Sequence, residues 1–172
     1  TNYVFQGAAD LQFKNRSSDW IENDSIISNG SGYADIDNDG DLDVITNNTN
    51  AIASLYINKT DTKSNYLKLK LRFTGKNTFG IGAKVISYSK GKKQFKELQT
   101  TRGFQSSSEP IIHFGYGKTT KIDSLVVIWP DKTYQTVKNV KTCQTLTIKA
   151  NQNRKAFDYK KLHPGVLPIF KK

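Results

Sequence analysis

Five aspartates occupy every second position between residues 35 and 43, within the stretch GYADIDNDGDLDVITNN (32–48). In a regular strand, which advances about 3.3 Å per residue, these side chains would line one face and repel one another. Asn38 and Gly40 interrupt that geometry, because both residue types accept the positive φ angle of a tight turn. The sequence therefore predicts a curled loop whose aspartate side chains converge.

The chemistry of such a loop is metal binding by hard oxygen ligands. The spacing D-x-D-x-D-G-x-x-D supplies side-chain oxygens at positions 1, 3, 5 and 9 and a main-chain carbonyl at position 7. Ca²⁺ takes about six to eight such oxygens in irregular geometry, whereas Mg²⁺ retains water and requires an octahedron. We therefore predict a Ca²⁺ site. The predicted carboxylate ligands are Asp35, Asp37, Asp39 and Asp43. Asp41 contributes its main-chain oxygen and leaves its side chain free.

Other interpretations of the acidic loop stay open. It is not an EF-hand, since the position that would carry a bidentate Glu is Thr46 and no flanking helices are predicted. A solvated acidic turn without metal, or a turn paired with the lysine-rich part of the chain, would have the same composition. The regular spacing and the glycine favour the metal site over both.

The sequence offers no complete catalytic constellation. Catalytic carboxylates would need an apolar pocket or a His that separates their pKa values, and neither lies near the loop in sequence. A serine cluster at 106–108 precedes His113, but the flanking Ile112 and Phe114 predict a packed or edge histidine. We therefore predict that the protein is not an enzyme. A hydrolase that uses the aspartate cluster is the weaker alternative.

Charge is divided unevenly along the chain, whose net charge is +11. Residues 1–61 contain ten Asp and Glu against three Lys and Arg, and residues 62–172 contain five against twenty-three. The basic side chains would either face solvent on strand surfaces or bind phosphates, sulfates or uronic acids. Aromatic and basic residues interleave in SYSKGKKQFK (87–96) and FDYKKLH (157–163), a pattern that could bind a nucleic acid or an anionic glycan by stacking and charge neutralisation. No nucleic-acid motif accompanies them, so we expect no nucleic-acid partner.

The elements that must position the loop are β-strands. In YLKLKLRF (66–73) leucines alternate with basic residues, which is typical of a half-buried strand. DSLVVIW (123–129) is apolar on both faces and is predicted to be a central strand. Short turn segments separate these from further β-rich runs at 83–89, 94–100, 110–116, 133–138 and 144–150. Seven strands over so short a length predict a β-sandwich or barrel, mainly β and largely antiparallel.

The two ends of the chain differ from this β-rich part. Residues 42–48 and 53–59 are predicted to form a hairpin fed by the acidic loop, and residues 151–172 form a tail or linker without a regular pattern. The single cysteine, Cys143, lies in a strand-like run and is predicted to be a buried, inert thiol. No apolar run approaches the roughly 18 residues that cross a bilayer, so no transmembrane segment is expected.

Specific motifs resemble known families. GYADIDNDGDLDVITNN looks like an FG-GAP or VCBS-type repeat, the calcium-loop motif of integrin-like β-propellers. Residues 64–150 resemble the ASPIC/UnbV domain of cartilage acidic protein-like surface proteins, especially in GIGA, HFGYG and VIWPD. One departure is Asp131-Lys132, where the family commonly has Asp-Gly, and this questions the tightness of that hairpin.

The resemblance implies an organisation and a role. Residues 1–61 would be an FG-GAP/VCBS-like repeat segment, 62–150 an ASPIC/UnbV-like β-sandwich and 151–172 a tail or linker. The chain would be an excerpt of a longer protein that carries the remaining propeller repeats. We expect a non-enzymatic, calcium-binding module that is secreted or exposed on a cell surface, such as a bacterial outer membrane or periplasm-exposed face. Its partner would be a protein or polysaccharide, bound in adhesion; a glycan-binding accessory module that uses the Lys- and aromatic-rich β face is the alternative.

Overall fold

The computed structural model describes residues 2–8, 10–22, 25–60 and 64–161. Strands dominate this part of the chain, with one short helix, α1 (Ser17–Trp20), and a 3₁₀ turn at Tyr159–Lys161. The strands are β1 (Phe5–Gly7), β2 (Phe13–Asn15), β3 (Ser28–Ala34), β4 (Asp43–Asn48), β5 (Ser54–Tyr56), β6 (Asn65–Arg72), β7 (Lys84–Ser89), β8 (Lys92–Glu97), β9 (Ile111–Gly117), β10 (Lys121–Ile128), β11 (Thr133–Lys141), β12 (Gln144–Lys149) and β13 (Lys155–Ala156).

Two sheets form the β-sandwich. One has the strand order β13-β11-β10-β7-β8, and the other has the order β12-β6-β9. Their inner faces share one apolar core that includes Leu67, Phe114 and Ile148 from the smaller sheet and Val85 and Val127 from the larger one. The mainly β sandwich predicted from the alternating pattern is therefore confirmed.

Strand β6 shows how the alternation produces this core. Leu67, Leu69 and Leu71 are almost completely buried on its inner face. Burial of one such side chain contributes about 1.5–3 kcal/mol, so this face alone anchors the strand in the sandwich. β10 lies between β11 and β7 in the larger sheet, as its apolar sequence predicts.

One strand pairing differs from the antiparallel expectation. β12 runs parallel to β6, with Leu146 opposite Leu69. The chain leaves β11 in the larger sheet and enters β12 in the smaller one, so no hairpin forces β12 to run antiparallel to its neighbour. This change of sheet occurs at Thr142 and Cys143, where Cys143 has a φ of 56°.

The prediction that Cys143 is buried was wrong. Its thiol is exposed, and Sγ lies 3.1 Å from the side-chain oxygen of Asn65. The residue belongs to the turn between β11 and β12 and not to a strand, because the left-handed φ interrupts the strand geometry that KTCQTLTIK indicated.

The turn between β10 and β11 is tight although Lys132 replaces the usual glycine. Lys132 adopts a φ of 64°, and its backbone N–H donates to the Trp129 carbonyl at 3.0 Å. Trp129 in turn donates its backbone N–H to Thr133 at 2.7 Å, and Phe157 donates to the Lys132 carbonyl at 2.8 Å. These bonds hold a conformation that side-chain-bearing residues rarely adopt.

The acidic segment belongs to a separate three-stranded antiparallel sheet of order β3-β4-β5. The predicted pairing of residues 42–48 with 53–59 is confirmed by β4 and β5. β3 was not anticipated, since SNGSGYA lacks the β-branched residues of a typical strand. The acidic loop is the connection between β3 and β4.

Within the described ranges, no helix is both long enough and apolar enough to span a membrane.

Candidate metal centre

The acidic loop curls as its sequence predicts. Asn38 has a φ of 62° and Gly40 a φ of 102°, which reverse the direction of the chain. Two aspartates accept hydrogen bonds from the backbone two residues ahead: Asp37 Oδ1 from the Asp39 N–H at 3.3 Å, and Asp39 Oδ1 from the Asp41 N–H at 3.1 Å. Such Asx turns are the reason that Asp and Asn favour tight loops.

The curl brings three of the predicted ligands together. One carboxylate oxygen from each of Asp35, Asp37 and Asp39 lies within 4.8 Å of the others. Asp37 and Asp39 are exposed, whereas the Asp35 side chain retains only 1% of its accessible surface. The buried aspartate therefore forms the base of the cluster and the exposed pair forms its mouth.

Two buried carboxylate oxygens in this loop have no hydrogen-bond partner. These are Oδ1 of Asp35 and Oδ1 of Asp41. Asp35 uses its other oxygen, Oδ2, to accept the Gly40 N–H at 3.0 Å and the ammonium group of Lys68. A buried carboxylate oxygen without a partner is costly, and a bound cation would satisfy it.

The carboxylates also perturb one another electrostatically. Burial, followed by the negative charges of Asp39, Asp43, Asp37 and Asp35, raises the pKa of Asp41 from 3.8 to about 6. Negative charge is thus concentrated enough to oppose ionisation of one of its own members. A divalent cation in this loop would reverse that effect, because it favours the ionised form of every surrounding carboxylate.

The Asp43 carboxylate forms its hydrogen bonds with backbone N–H groups. It is almost fully buried, and its two oxygens accept the N–H groups of Ile36 at 2.7 Å and Asn58 at 2.8 Å. These bonds connect the two ends of the loop to each other and to the segment after β5. Asp43 is not among the three aspartates whose oxygens converge, so its predicted role as a ligand stays a prediction.

The loop is anchored on the sandwich by residues that sequence reasoning did not assign to it. Lys68 on β6 pairs with His113 on β9 in register, and the pleat places Tyr66 on the same outer face. His113 Nε2 donates to the Gly40 carbonyl at 2.8 Å, and its ring stacks on that of Tyr66 with centroids 5.8 Å apart. The expectation that His113 is a packed histidine agrees with these contacts.

Lys68 corrects the expectation that the basic residues of β6 face solvent. It is only 8% exposed, and its ammonium group forms an ion pair with Asp35. The strand alternation correctly placed Lys68 opposite the leucines. The alternation could not predict that the acidic loop covers this face of β6, because the loop lies more than 30 residues earlier in the chain.

The serine cluster at 106–108 also contacts the acidic segment's sheet. Ser106 Oγ accepts the Ser31 backbone N–H at 3.0 Å, and Ser108 Oγ accepts that of Tyr33 at 3.3 Å. These hydroxyls satisfy the free edge of β3, which would otherwise present unpaired backbone groups. The serine cluster therefore has a structural role, because it joins the β3-β4-β5 sheet to the segment that precedes β9.

The residues of the loop fit a calcium ion by the chemistry of their donors. All are hard oxygen atoms, Oδ1 of Asp35 is buried without a partner, and the arrangement lies at a loop with irregular geometry. These are properties of Ca²⁺ sites and not of the N- and S-rich sites that zinc prefers.

Comparison with known proteins shows similarity over the sandwich. Residues 73–155 match the family model described as ASPIC and UnbV. A segment of 106 residues is 35% identical to cartilage acidic protein 1 of Xenopus tropicalis, 32% to that of Homo sapiens and 31% to that of Mus musculus. In each case the match covers 59% of this chain and 16% of the relative. These matches confirm the predicted resemblance of the β-rich part of the chain to the ASPIC/UnbV domain and to cartilage acidic protein.

Proposed function

We propose that this protein is a non-enzymatic, calcium-binding module in which structural Ca²⁺ fixes the acidic loop. The observation that carries the proposal is the buried Asp35, whose Oδ1 has no partner and one of whose carboxylate oxygens lies within 4.8 Å of oxygens from Asp37 and Asp39. A structural ion would satisfy that oxygen and offset the clustered charge. The rigid surface so formed would then be available to a protein or polysaccharide partner in adhesion.

The chain's own residues would divide the work of holding the ion. Asp35, Asp37 and Asp39 would supply carboxylate oxygens, and Asp41 would supply its main-chain oxygen. Asp43 would keep the loop closed through its two backbone hydrogen bonds. When bound, Ca²⁺ supplies the positive charge that lets these carboxylates remain ionised at close range.

We also propose that the acidic segment is a repeat of the FG-GAP/VCBS type. The support is its sheet, in which the loop joins two antiparallel strands and a third strand pairs with the second. The remaining repeats would lie in a longer parent chain. A secreted or surface-exposed location is part of the same proposal, supported by relatives whose name refers to cartilage.

A matched pair of substitutions tests the proposal. In Asp39→Asn, thermal unfolding should lose most of its dependence on Ca²⁺, because a charged ligand is removed while the Asx turn is retained. Asp158→Asn is the control, since Asp158 is also exposed and accepts a backbone N–H two residues ahead, at 3.0 Å. At 100 times the Kd, Ca²⁺ should raise the Tm of the wild type and of the control by about 5–10 °C. Equal calcium responses in all three proteins would contradict the proposal.

A glycan-binding role is the second candidate, favoured by the β7–β8 hairpin. Tyr88 and Lys93 face each other across this hairpin, and Phe95 follows Lys93 on the same outer face. Tyr88 is 39% and Phe95 49% exposed, so both rings are available for stacking on a sugar. Binding to sulfated or uronic-acid glycans that weakens in Tyr88→Ala and Phe95→Ala would support this role, and unchanged binding would contradict it.

A further inference from the structure

A lysine from the sandwich lies inside the acidic loop. Lys68 reaches Asp35 from β6, and the two side chains retain only 10% and 1% of their accessible surface. In the part of the chain that the structure describes, no other cation forms an ion pair with the five aspartates. The loop therefore carries one internal positive charge, which is paired with a buried aspartate.

We propose that Lys68 sets the calcium affinity of the loop, acting as a built-in counter-charge that weakens Ca²⁺ binding and stabilises the loop when the ion is absent. This inference rests on the proposed function, because it concerns the same site. Lys68 occupies Oδ2 of Asp35 and leaves Oδ1 without a partner. A calcium ion on Oδ1 would share this carboxylate with the ammonium group. Two cations on one carboxylate repel each other, so the affinity for Ca²⁺ is lowered.

The surroundings keep the lysine in place. The Tyr66 ring lies 5.6 Å from Lys68 Nζ and packs directly against Gly40. His113 holds the Gly40 carbonyl at 2.8 Å. Because these contacts fix the loop against the sandwich beside the ion pair, we expect Lys68 to remain next to Asp35 when the ion binds. Its charge therefore acts on both the free and the loaded loop.

Removal of Lys68 should change the calcium affinity in opposite directions according to whether the lysine competes with the ion or only stabilises the fold. A lysine that only stabilises the fold would, when removed, leave calcium affinity unchanged or reduced. A counter-charge that competes with the ion would, when removed, make binding tighter while making the ion-free protein less stable. The ion-free protein becomes less stable because the buried Asp35 then keeps only one hydrogen bond, from the Gly40 N–H, and has no cation beside it.

Lys68→Met, a substitution of similar length without charge, separates these outcomes. Isothermal titration of the full chain with Ca²⁺ should give a Kd at least about tenfold lower than in the wild type. In EDTA the Tm of the variant should be lower than that of the wild type, and saturating Ca²⁺ should close that gap. Lys70→Met is the control, since Lys70 lies two residues along the same face of β6 but is exposed. Its Kd and its Tm in EDTA should both match the wild type.

The possible results distinguish the inference from the proposed function. Calcium binding in the wild type with an equal or higher Kd in Lys68→Met would overturn the inference alone. Binding in the variant but not in the wild type would support the counter-charge role of Lys68 and overturn the proposed function of the wild-type chain. Absence of binding in both proteins would overturn the inference and the proposed function together. If Lys68→Met does not fold in EDTA, Lys68→Gln provides the same comparison, since it removes the charge but retains a hydrogen-bond donor.

Discussion

At the scale of single residues, Gly40 connects the acidic loop to the sandwich. It has a φ of 102°, and a Cβ placed on it would lie 1.9 Å from the Tyr66 ring. Its carbonyl accepts a hydrogen bond from His113 at 2.8 Å. Backbone conformation and close approach therefore both require glycine at this position.

Replacing Gly40 should consequently destabilise the protein. We expect Gly40→Ala to lower the free energy of unfolding by about 2–5 kcal/mol, since it adds overpacking against Tyr66 to the cost of a left-handed residue. Gly75→Ala is the matched control: its φ is 69° and no atom lies within 4 Å of an added Cβ. It should cost about 1–2 kcal/mol. Urea denaturation provides the comparison, and equal losses in the two variants would show that Tyr66 does not restrict position 40.

The contact between His113 and the acidic loop should make the stability of the protein depend on pH. Burial lowers the pKa of His113 below 6.5, and the charges of Lys96 and Lys68 lower it further, against the opposing effects of the Gly40 carbonyl and Asp35. The folded protein thus favours the neutral ring. The contribution of His113 to stability should be complete above pH 6.5 and should be lost as the pH falls from there toward the folded-state pKa.

A substitution isolates this effect from other titrating groups. His113→Gln retains a donor that can reach the Gly40 carbonyl but does not ionise. We expect the wild type to lose more stability than the variant when the pH is lowered from 7.5 to 5.5, as measured by urea denaturation in EDTA. Parallel pH profiles for the two proteins would contradict the assignment.

At the scale of elements, the turn between β10 and β11 shows a strained residue retained in a tight hairpin. Lys132 is exposed, and its φ of 64° disfavours any residue other than glycine. Lys132→Gly should therefore raise the free energy of unfolding by about 0.5–1 kcal/mol. Lys118→Gly, at an exposed turn position whose φ is not positive, should lower it instead. A loss of stability in Lys132→Gly would indicate that its side chain has a stabilising contact.

The sequence predicted elements well where a local pattern decides the structure. The alternation in β6 identified its buried face, because one face of that strand meets the core directly. β3 escaped prediction because its backbone is stabilised by pairing with β4 and by serine hydroxyls from a distant segment. The exposure of Cys143 and the parallel direction of β12 depend on where the chain changes sheets, which no short-range pattern encodes.

The candidate site likewise has features that the local sequence predicts and features that depend on distant segments. Convergence of Asp35, Asp37 and Asp39 follows from the turn residues within the loop itself. Burial of Lys68 and its contact with Asp35 come from packing between segments more than 30 residues apart, so the alternation alone indicated a solvent-facing lysine.

At the scale of the whole molecule, the division of charge acquires a structural meaning. The acidic first part and the basic remainder meet at one buried ion pair, Asp35 with Lys68, and at the neutral contacts of His113 and the serine cluster. Most of the other basic residues for which the structure describes side chains are exposed. The polarity of the chain thus contributes to joining its parts.

Calcium binding by the wild-type chain is the central claim, and calorimetry of the metal-free protein tests it most directly. After removal of metal with EDTA and exchange into buffer, titration with Ca²⁺ should show one saturable site, and the Tm should rise with the Ca²⁺ concentration. Mg²⁺ at the same concentration should produce a smaller shift, because it demands an octahedral arrangement that this loop does not impose. Absence of binding heat, together with a Tm that is identical in EDTA and in millimolar Ca²⁺, would contradict the account.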